Sequence, residues 1–417
     1  MKSIHTDILI LGAGIGGYQA FRKLSRGLKK YGIKKTITII DKNNYFTFYP
    51  LLHEVATGVV EPEHCTVALR ELVAGGPHAF VKAVVKHIDV ERKLVYLDCD
   101  QIECDAISYD YCISSLGTGV NFFNTPGAAE YAHHIKTLEH AITFRQALIN
   151  RFDTVDKHIT VAVVGGGMTG IEIGSHIAHF LNFDLKKLYP EKTSSIKIIE
   201  KNKELVEFLP PKARRLIARR LHKLGVEVIL NTGVREIKPD SVILSDGREM
   251  ESDLTMWSIG VLNAADKILP ADWCERGCIP VNEFLQTKKN KFFYAIGDMM
   301  LWVNPKTGKP IPQMGEAAHR EADYAAKHLV NTLREKMTKP FSFESLGTMM
   351  PIGENYGLFV KNNFVVGGFL AWWLRRTVYV FFMPGMIRKI KIIVDWTLRL
   401  FGFADIVSMK IYTPTKK

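Results

Sequence analysis

Two stretches of this chain share one order of apolar and polar positions. Near the start, an apolar run ends in a glycine-rich turn, a helical pattern follows, and a second apolar run ends on Asp41. The same order returns between Ile159 and Glu200, where the second apolar run again ends on an acid. Short apolar runs that alternate with helical stretches are typical of parallel strands joined by helices. The pattern predicts an α/β fold that contains two Rossmann-like βαβ units.

The glycines of both turns follow the spacing G-x-G-x-x-G. They are Gly12, Gly14 and Gly17, beside Gly16, in the first turn, and Gly165, Gly167 and Gly170 in the second. In such a turn the first glycine permits a sharp bend, the second lets the backbone approach a pyrophosphate, and the third lets the helix pack close to the strand. A glycine-rich turn of an unrelated α/β protein is the alternative. A complete unit that occurs twice favours two bound dinucleotides.

The N-terminal unit is predicted to bind FAD, with Asp41 as the acidic partner of the ribose and Lys42 among the residues that bind the cofactor. Two later segments are predicted to contact the same nucleotide, namely Gly117-Thr118 in SLGTG and Gly297-Asp298 in FFYAIGD. We expect Asp298 to bind the ribityl chain, a role compatible with an N-cap position. The helical run from about 315 to 334 would then direct its N-terminus at the flavin and stabilise negative charge on the reduced ring.

The second unit is predicted to bind NADH. Glu200 favours NADH over NADPH because a carboxylate repels a 2′-phosphate, although Lys201 follows directly. Glu172 lies two residues after the last glycine, on the predicted first turn of the helix, where it could orient the nicotinamide carboxamide. The alternative is an acid that the helix dipole favours at this position. Both interpretations of Glu172 stay open.

The cysteines do not form a redox motif. The chain has six, none of them in a CxxC pair: Cys65, Cys99, Cys104, Cys112, Cys274 and Cys278. Too few are present for a disulfide scaffold. The aromatic segment 43–63, which follows the first unit, contains none, so we expect electrons to leave the flavin without a dithiol relay. Cys274 and Cys278 are interpreted as unrelated thiols, with a metal or redox pair as the alternative.

Four segments are predicted within the 417 residues. They are an FAD-binding domain at 1–155, an NADH-binding domain at 156–275, the second part of the FAD-binding domain at 276–345 and a C-terminal region at 346–417. Residues 78–112 alternate apolar and polar positions and predict an inserted β-meander that ends in a strand from Tyr109 to Ser115. A chain of this length can form several cores.

The C-terminal region predicts a β-hairpin followed by two amphipathic helices. Asn362-Asn363 supplies the turn, and the next residues read FLAWWLRRTVYVFFMPGMIRKIKIIVDWTLRLFGF. No apolar run reaches the length of a membrane span, whereas aromatic residues beside Lys and Arg suit a membrane surface. Trp372, Trp373 and Trp396 together with the basic residues favour that interpretation. A pair of helices buried in a dimer or domain interface is the alternative.

The net charge of +12 fits an anionic membrane surface. Binding to nucleic acid is not predicted, because no recognised motif accompanies the charge. The first strand begins by about Asp7, which leaves no room for a targeting segment. We therefore expect a peripheral protein on the cytoplasmic face of a bacterial inner membrane.

Several segments resemble the type II NADH dehydrogenases, which are single-subunit NADH:quinone oxidoreductases that do not pump protons. Besides the two glycine turns, the resemblance rests on DKNNYFTFYPLLHEVATG, NFFNTPGAAEYAHHIKTLEHA, AIGD and FLAWWLRRTVYVFF followed by IVDW. It covers nearly the whole chain. It implies FAD bound without a covalent link, NADH as substrate, a quinone that enters from the membrane side, peripheral attachment through the C-terminal helices, and a homodimer.

One motif of that family is altered. The family carries Ala-Gln-x-Ala-x-Gln on the helix after AIGD, whereas this chain has Glu316 and Arg320 in place of the glutamines. These two residues are spaced to form an ion pair. Glu316 and His319 are candidates for quinone protonation. Alternatives are a sulfide:quinone reductase, a soluble reductase of a small redox protein, and an NADH-sensing flavoprotein without turnover.

Overall fold

The computed structural model describes residues 3–98 and 105–401 and divides the chain into two compact units. Unit 1 comprises Met1–Thr47, Thr66–Gly119 and Val261–Ser345, and unit 2 comprises Phe48–Cys65, Val120–Gly260 and Leu346–Lys417. The predicted boundary after residue 345 coincides with the end of unit 1, whereas those after 155 and 275 coincide with no unit boundary. Each unit contains one of the two glycine turns.

The longer helices and the strands of the larger sheets are numbered in chain order. The helices are α1 (Ile15–Lys30), α2 (Leu138–Thr154), α3 (Met168–His179), α4 (Pro211–Lys223), α5 (Gly315–Thr332), α6 (Phe369–Phe382) and α7 (Met386–Phe401). The strands are β1 (Ser3–Leu11), β2 (Ile37–Asp41), β3 (Ala79–Lys82), β4 (Val84–Asp89), β5 (Leu94–Asp98), β6 (Ala106–Ser114), β7 (Ala132–His133), β8 (His158–Val164), β9 (Thr193–Ile199), β10 (Val226–Ile229), β11 (Val234–Ile237), β12 (Ser241–Leu244), β13 (Glu249–Glu251), β14 (Leu254–Trp257), β15 (Phe293–Ala295), β16 (Thr348–Pro351), β17 (Gly357–Lys361) and β18 (Phe364–Gly368).

Unit 1 is built on a seven-stranded sheet in the order β3-β2-β1-β6-β5-β4, with β15 also paired to β6. Strands β3, β2, β1, β6 and β15 run parallel. Residues Ile8 to Leu11 of β1 have no exposed surface, because β1 lies between two neighbours and helices cover the sheet. The chain leaves β1 toward β2 on one side and later returns to β6 on the other. The glycine turn therefore follows the strand at which the order reverses, where α/β sheets bind ligands.

Unit 2 repeats this arrangement in a five-stranded parallel sheet with the order β7-β14-β8-β9-β10. Its central strand β8 is buried from Ile159 to Val164, and the second glycine turn follows β8. Strands β11, β12 and β13 form a separate antiparallel sheet. The two predicted Rossmann-like units and the α/β class are confirmed.

The prediction of a β-meander over 78–112 was partly wrong. Strands β4, β5 and β6 do form an antiparallel series. However, β3 pairs in parallel with β2 and so belongs to the βαβ sheet itself. The side chains of β3 alternate between apolar and polar in the same way as those of β4 to β6. Only the strand with which β3 pairs distinguishes it from the meander. The last strand ends at Ser114.

The C-terminal region of unit 2 contains a hairpin, β17 and β18, in which Lys361 pairs with Phe364 across a two-residue turn. Asn362 has φ of +52°, a left-handed conformation that asparagine tolerates. A third strand, β16, which was not predicted, extends the hairpin. The two predicted helices are α6 and α7. Among residues 3–98 and 105–401, no helix combines the length and the apolar character required to cross a bilayer.

The exposure predicted for the C-terminal tryptophans was wrong for two of the three. Trp373 is 53% exposed, whereas Trp372 and Trp396 are buried. Both buried rings pack on the Arg376 guanidinium, at 3.7 and 4.6 Å from the ring centroids. Of the arginines assigned to a membrane surface, Arg375, Arg376 and Arg399 are also buried. The exposed apolar face consists instead of Phe369, Leu370, Trp373, Phe381, Phe382, Met386, Ile387, Ile390, Ile393, Val394, Leu398 and Leu400.

Candidate functional site

The first glycine turn is held by hydrogen bonds from its own unit. Gly12 has φ of +87°, which only glycine adopts without strain, and its N–H donates to the Ile40 carbonyl at 2.8 Å. The Ser115 hydroxyl lies 2.8 Å from the carbonyl oxygens of both Leu11 and Gly12. A methyl group on Gly17 would overlap the Gly12 carbonyl. Position 12 therefore requires glycine because of its backbone conformation, and position 17 requires glycine because no side chain fits there.

The second turn has the same set of contacts. Gly165 has φ of +109° and donates its N–H to the Ile199 carbonyl at 2.8 Å. The Ser258 hydroxyl lies 2.7 Å from the Val164 carbonyl and 3.2 Å from that of Gly165. A methyl group on Gly170 would overlap the Gly165 carbonyl. The repeat that the sequence pattern predicted extends to individual hydrogen bonds.

The acid at the end of the second strand is tied to the turn in both units. The Asp41 carboxylate accepts the Ala13 N–H at 2.7 Å, and the Glu200 carboxylate accepts the Gly166 N–H at 2.7 Å. Burial raises the pKa of Asp41, while the N–H groups of Ala13 and Asn43 act in the opposite direction. Each carboxylate oxygen keeps a lone pair for a ribose hydroxyl after accepting one N–H.

Ser115 and Ser258 were missed in the sequence, although a signal was present. Each is the first residue of a similar segment, SLGTG and SIGVL, that follows a buried strand. In the structure the serines brace the turn, because a hydroxyl at the end of the neighbouring strand reaches two carbonyls of the turn.

The remaining residues predicted for the two turns differ in exposure. Gly167 is exposed, and a methyl group added to it would meet no atom within 4 Å. Gly14 is partly exposed at the N-cap of α1. These two positions leave room for a pyrophosphate at a helix N-terminus. Gly16 is instead buried against Ile296, and Lys42 is exposed.

The two later segments of the predicted FAD site lie in unit 1. Gly117 and Gly297 have φ of +71° and +72°, and the Thr118 hydroxyl lies 3.5 Å from the Asp298 carboxylate. The Glu321 carboxylate of α5 accepts the Gly297 N–H at 2.6 Å. Glu321 is only 2% exposed, and burial, together with the nearby Asp298 charge, raises its pKa to about 8. No sequence pattern marked Glu321, which is one acid among several on an amphipathic helix.

The first turns of α5 carry the altered family motif. The Glu316 and Arg320 side chains form the predicted ion pair, at 3.3 Å. The Ser345 hydroxyl donates to the other Glu316 oxygen at 3.0 Å, and the Arg320 guanidinium lies 5.8 Å from the centroid of the Phe343 ring. His319 is partly buried, and burial lowers its pKa.

Glu172 lies in unit 2 as the fifth residue of α3, so its predicted place on the first helical turn was wrong by one turn. The side chain is partly exposed. Burial raises the pKa of Glu172 to about 7, an effect that the Arg375 charge opposes and the Glu54 charge reinforces. A carboxyl group with this pKa exchanges protons near neutral pH.

Next to Glu172 lies a buried polar cluster that sequence reasoning missed. The Glu54 carboxylate accepts hydrogen bonds from the Arg375 guanidinium at 2.8 Å and from the Trp396 indole at 2.7 Å. Arg375 also lies 3.0 Å from Nε2 of His53, and the His53 ring packs on that of His176. The ligand atoms of His53, Glu54 and His176 lie within 4.8 Å of one another, but the guanidinium among them opposes a metal cation.

The described cysteines are free thiols. Burial raises the pKa of Cys65 to about 12 and that of Cys274 to about 11, so both stay protonated at neutral pH. The pKa of Cys278 is raised as well, again by burial. Cys99 and Cys104 lie outside the described residues. These thiols do not have the acidity of a redox pair.

The chain is similar to known oxidoreductases along most of its length. Residues 6–322 match the family model of the pyridine nucleotide-disulphide oxidoreductases. The type II NADH:quinone oxidoreductase of Haemophilus influenzae is 27% identical, over 89% of this chain and 92% of that protein. The demethylphylloquinone reductase of Synechocystis is 26% identical, over 96% and 98%.

Solved structures share the fold. NDH2 from Plasmodium falciparum in complex with NADH superposes with a TM-score of 0.87 at 19% identity, and covers 96% of this chain and 99% of that one. The sulfide:quinone oxidoreductase from Aquifex aeolicus gives a TM-score of 0.71 at 19% identity, with 90% of each chain covered. The chain belongs to the pyridine nucleotide-disulphide oxidoreductase family, and within that family its resemblance to the type II NADH dehydrogenases is confirmed.

Proposed function

We propose that this chain oxidises NADH through non-covalently bound FAD and passes the electrons to a quinone at a membrane surface, without pumping protons. One observation supports this more than any other: the glycine turn with its bracing serine and terminal acid occurs once in each unit. Two such turns provide one site for each of two dinucleotides. Homologues named as NADH:quinone oxidoreductases match this chain over most of its length.

The residues of unit 1 fit FAD. The N–H groups at the start of α1 would bind the pyrophosphate, and Asp41 would bind the adenosine ribose. Gly117 and Thr118 would lie along the nucleotide, and Asp298 would bind the ribityl hydroxyls. FAD supplies a ring that takes up a hydride and gives up electrons. The protein part of this chemistry is to bind and orient that ring and to stabilise its negative charge.

The residues of unit 2 fit NADH. Gly167 leaves its backbone open to the pyrophosphate, and Glu200 would accept the ribose hydroxyls and disfavour a 2′-phosphate. Glu172 follows the turn on the same helix. We infer that its carboxyl group, with a pKa of about 7, orients the nicotinamide carboxamide or holds a proton that is transferred during turnover.

On the acceptor side, we propose that Glu316 and His319 act on the quinone. Both lie on the first turns of α5, which also carries Glu321 against the Gly297-Asp298 turn. The Glu316–Arg320 pair takes the position of the two family glutamines. A carboxylate paired with a guanidinium can still accept and return a proton. This substitution is expected to change which quinone is preferred, because a charged pair replaces two neutral amides.

We further propose that the protein is a homodimer attached peripherally to the cytoplasmic face of a bacterial membrane, where NADH is available. The exposed apolar face of α6 and α7 supports attachment to a bilayer surface. Sedimentation equilibrium in detergent tests the dimer, and flotation with vesicles tests the attachment.

The test of the reaction is anaerobic. Purified protein loaded with FAD is mixed with NADH, and the flavin absorbance is followed before and after a short-chain quinone is added. Rapid bleaching and rapid recovery are expected. A sample reduced by dithionite and then mixed with the quinone serves as control, because it tests the acceptor half without NADH.

Each failure identifies the half of the proposal that is wrong. Bleaching by NADH without recovery in either sample would rule out quinone as the acceptor. Recovery after dithionite but no bleaching by NADH would overturn the assignment of unit 2 to NADH, and sulfide would then be tried as donor, as in the sulfide:quinone alternative.

A further inference from the structure

Helix α4 of unit 2 has basic residues and no acid. Its thirteen residues include six Lys or Arg, and no Asp or Glu is present. The buried residues Ala213, Ile217 and Leu221 form its apolar stripe. An ordinary solvent-exposed helix carries both positive and negative side chains. Solubility alone therefore does not explain why the charged side chains of α4 are all positive.

Three of the six cations of α4 bind groups of their own unit. Lys212 donates to the Val365 carbonyl at 3.1 Å, Arg214 pairs with Glu204, and Arg220 donates to the backbone of Ile352 and Glu354 at 3.1 and 2.8 Å. These three cations have a structural role, since each one fixes α4 to a neighbouring segment.

The other three cations lie on the outer face of α4, which also carries His222. Arg215, Arg219 and Lys223 are exposed, and within the described part of the chain none of them forms an ion pair. Their spacing of four residues places them on one side of the helix. We call Arg215, Arg219 and Lys223 the basic stripe of α4.

The helix that carries the basic stripe packs against the strand that leads into the exposed apolar face. A methyl group on Gly367 of β18 would lie 3.1 Å from Leu216 of α4, and Lys212 bonds to Val365 of the same strand. Phe369 and Leu370, which follow β18 directly, are 59% and 67% exposed. The basic stripe therefore lies on a helix that packs against the strand preceding Phe369 and Leu370. Cations combined with exposed aromatic and aliphatic side chains form the pattern that binds an anionic membrane interface.

We propose that the basic stripe of α4 is a docking surface for a bilayer that contains anionic phospholipids. It acts beside the exposed apolar face of α6 and α7. The proposal rests on the proposed function in one respect, the attachment to a membrane. It adds a second, electrostatic element from the nucleotide-binding part of unit 2, which makes attachment dependent on lipid charge and on salt.

The experiment is flotation of the full, FAD-loaded chain with two kinds of vesicle, phosphatidylcholine alone and phosphatidylcholine mixed with phosphatidylglycerol. The variant is Arg215→Gln/Arg219→Gln. Its matched control is Arg26→Gln/Lys29→Gln, which removes the same charge from exposed positions of α1 in unit 1. Turnover with a short-chain, water-soluble quinone should be unchanged in both variants and shows that they are folded.

For the mixed vesicles at low salt, the α4 variant is expected to bind about 30-fold more weakly than the unmodified protein. Each basic residue near an anionic surface strengthens binding by about fivefold. The α1 control should lose far less of its binding to the mixed vesicles. Vesicles of phosphatidylcholine alone should bind both variants and the unmodified chain equally well. Arg215→Lys/Arg219→Lys should restore most of the binding, because it restores the charge.

The remaining outcomes separate this inference from the proposed function. Equal losses in the α4 and α1 variants, or no loss in either, would overturn the docking surface while leaving attachment through α6 and α7 intact. An unmodified chain that floats with neither vesicle would overturn both. Flotation with the mixed vesicles alone, abolished by the α4 variant, would support the docking surface and contradict apolar attachment.

Discussion

Three acidic side chains hold the backbone of the predicted nucleotide sites. Asp41 accepts an N–H from Ala13, Glu200 from Gly166, and Glu321 from Gly297. A buried carboxyl group that accepts a backbone N–H fixes the direction of that peptide, and its removal leaves the donor unsatisfied. Asp41 ends β2 and Glu200 directly follows β9, but Glu321 lies on a helix and is buried almost completely. Its protonation is therefore linked to the shape of the Gly297-Asp298 turn.

The Glu321→Gln variant should make the retention of FAD less dependent on pH. A carboxyl group whose pKa is raised to about 8 stabilises the fold fully below its ordinary pKa, and this contribution is lost as the pH rises through about 8. In the unmodified chain the temperature at which FAD is released should fall between pH 6 and pH 9, which corresponds to a loss on the order of 3 kcal/mol. The glutamine cannot ionise and should remove most of this fall.

Flavin fluorescence during heating measures the release. Glu316→Gln is the matched control, because it neutralises another acid of α5 that is not next to the Gly297 turn, and it should keep the pH dependence of the unmodified chain. An identical fall in Glu321→Gln would show that this carboxyl group does not control FAD retention.

At the residue scale, the sequence predicts those residues whose roles follow from their spacing within a βαβ unit. The glycines at 12, 17, 165 and 170 and the terminal acids Asp41 and Glu200 follow from the βαβ pattern, and the structure places them as the pattern requires. Glu321 could not be found in this way, because the residue it contacts lies 24 positions earlier in the chain. The roles proposed for Glu172, His319 and Asp298 stay predictions.

At the element scale, one buried glutamate joins the two C-terminal helices. Glu54 accepts a hydrogen bond from Arg375 of α6 and another from Trp396 of α7. The sequence predicted both helices but assigned Trp396 and Arg375 to a membrane surface. Both faces of these helices carry aromatic and basic residues, and the partner of Arg375 lies 321 positions away. Composition alone therefore could not tell the inner face from the outer one.

The Arg375→Met variant should destabilise unit 2 by about 3 kcal/mol or more, because it leaves the Glu54 carboxylate buried without its cation. Urea unfolding measures this loss, and limited proteolysis should cut the chain between α6 and α7 sooner. Glu54→Gln/Arg375→Met should recover part of the stability, since position 54 then no longer holds a buried carboxylate without its hydrogen-bonded cation.

Lys391→Met supplies the comparison, because Lys391 is an exposed cation of α7. Its effect should stay within about 0.5 kcal/mol. A double variant as unstable as Arg375→Met alone would contradict the explanation by an unpaired charge and would indicate lost packing instead.

At the scale of the whole molecule, the exposed large apolar side chains are concentrated in unit 2. Ile387, Ile390, Val394 and Leu398 of α7 are 46% to 65% exposed, at spacings of three and four residues. A water-exposed apolar stripe of this kind is unfavourable unless another surface covers it. The sequence predicted the presence of an amphipathic helix, and the structure identifies which of its residues form the outer face.

Ile390→Asn/Val394→Asn should weaken binding to phosphatidylcholine vesicles by about tenfold or more, since two apolar side chains no longer enter the interface. Flotation measures the bound fraction, and oxidation of NADH with a water-soluble acceptor should not change. Val84→Asn, at an exposed position of unit 1, is the control and should bind normally. A loss of binding in that control alone would place the attachment in the other unit.

The braced turns also bear on how the protein matures. Each turn is held by a serine and an acid of the same polypeptide, so the hydrogen bonds that brace it come from the chain itself. We therefore expect newly made chains to form both turns before FAD binds. On this expectation FAD binds late in biogenesis, and protein made during a shortage of flavin could still take up FAD once it is supplied.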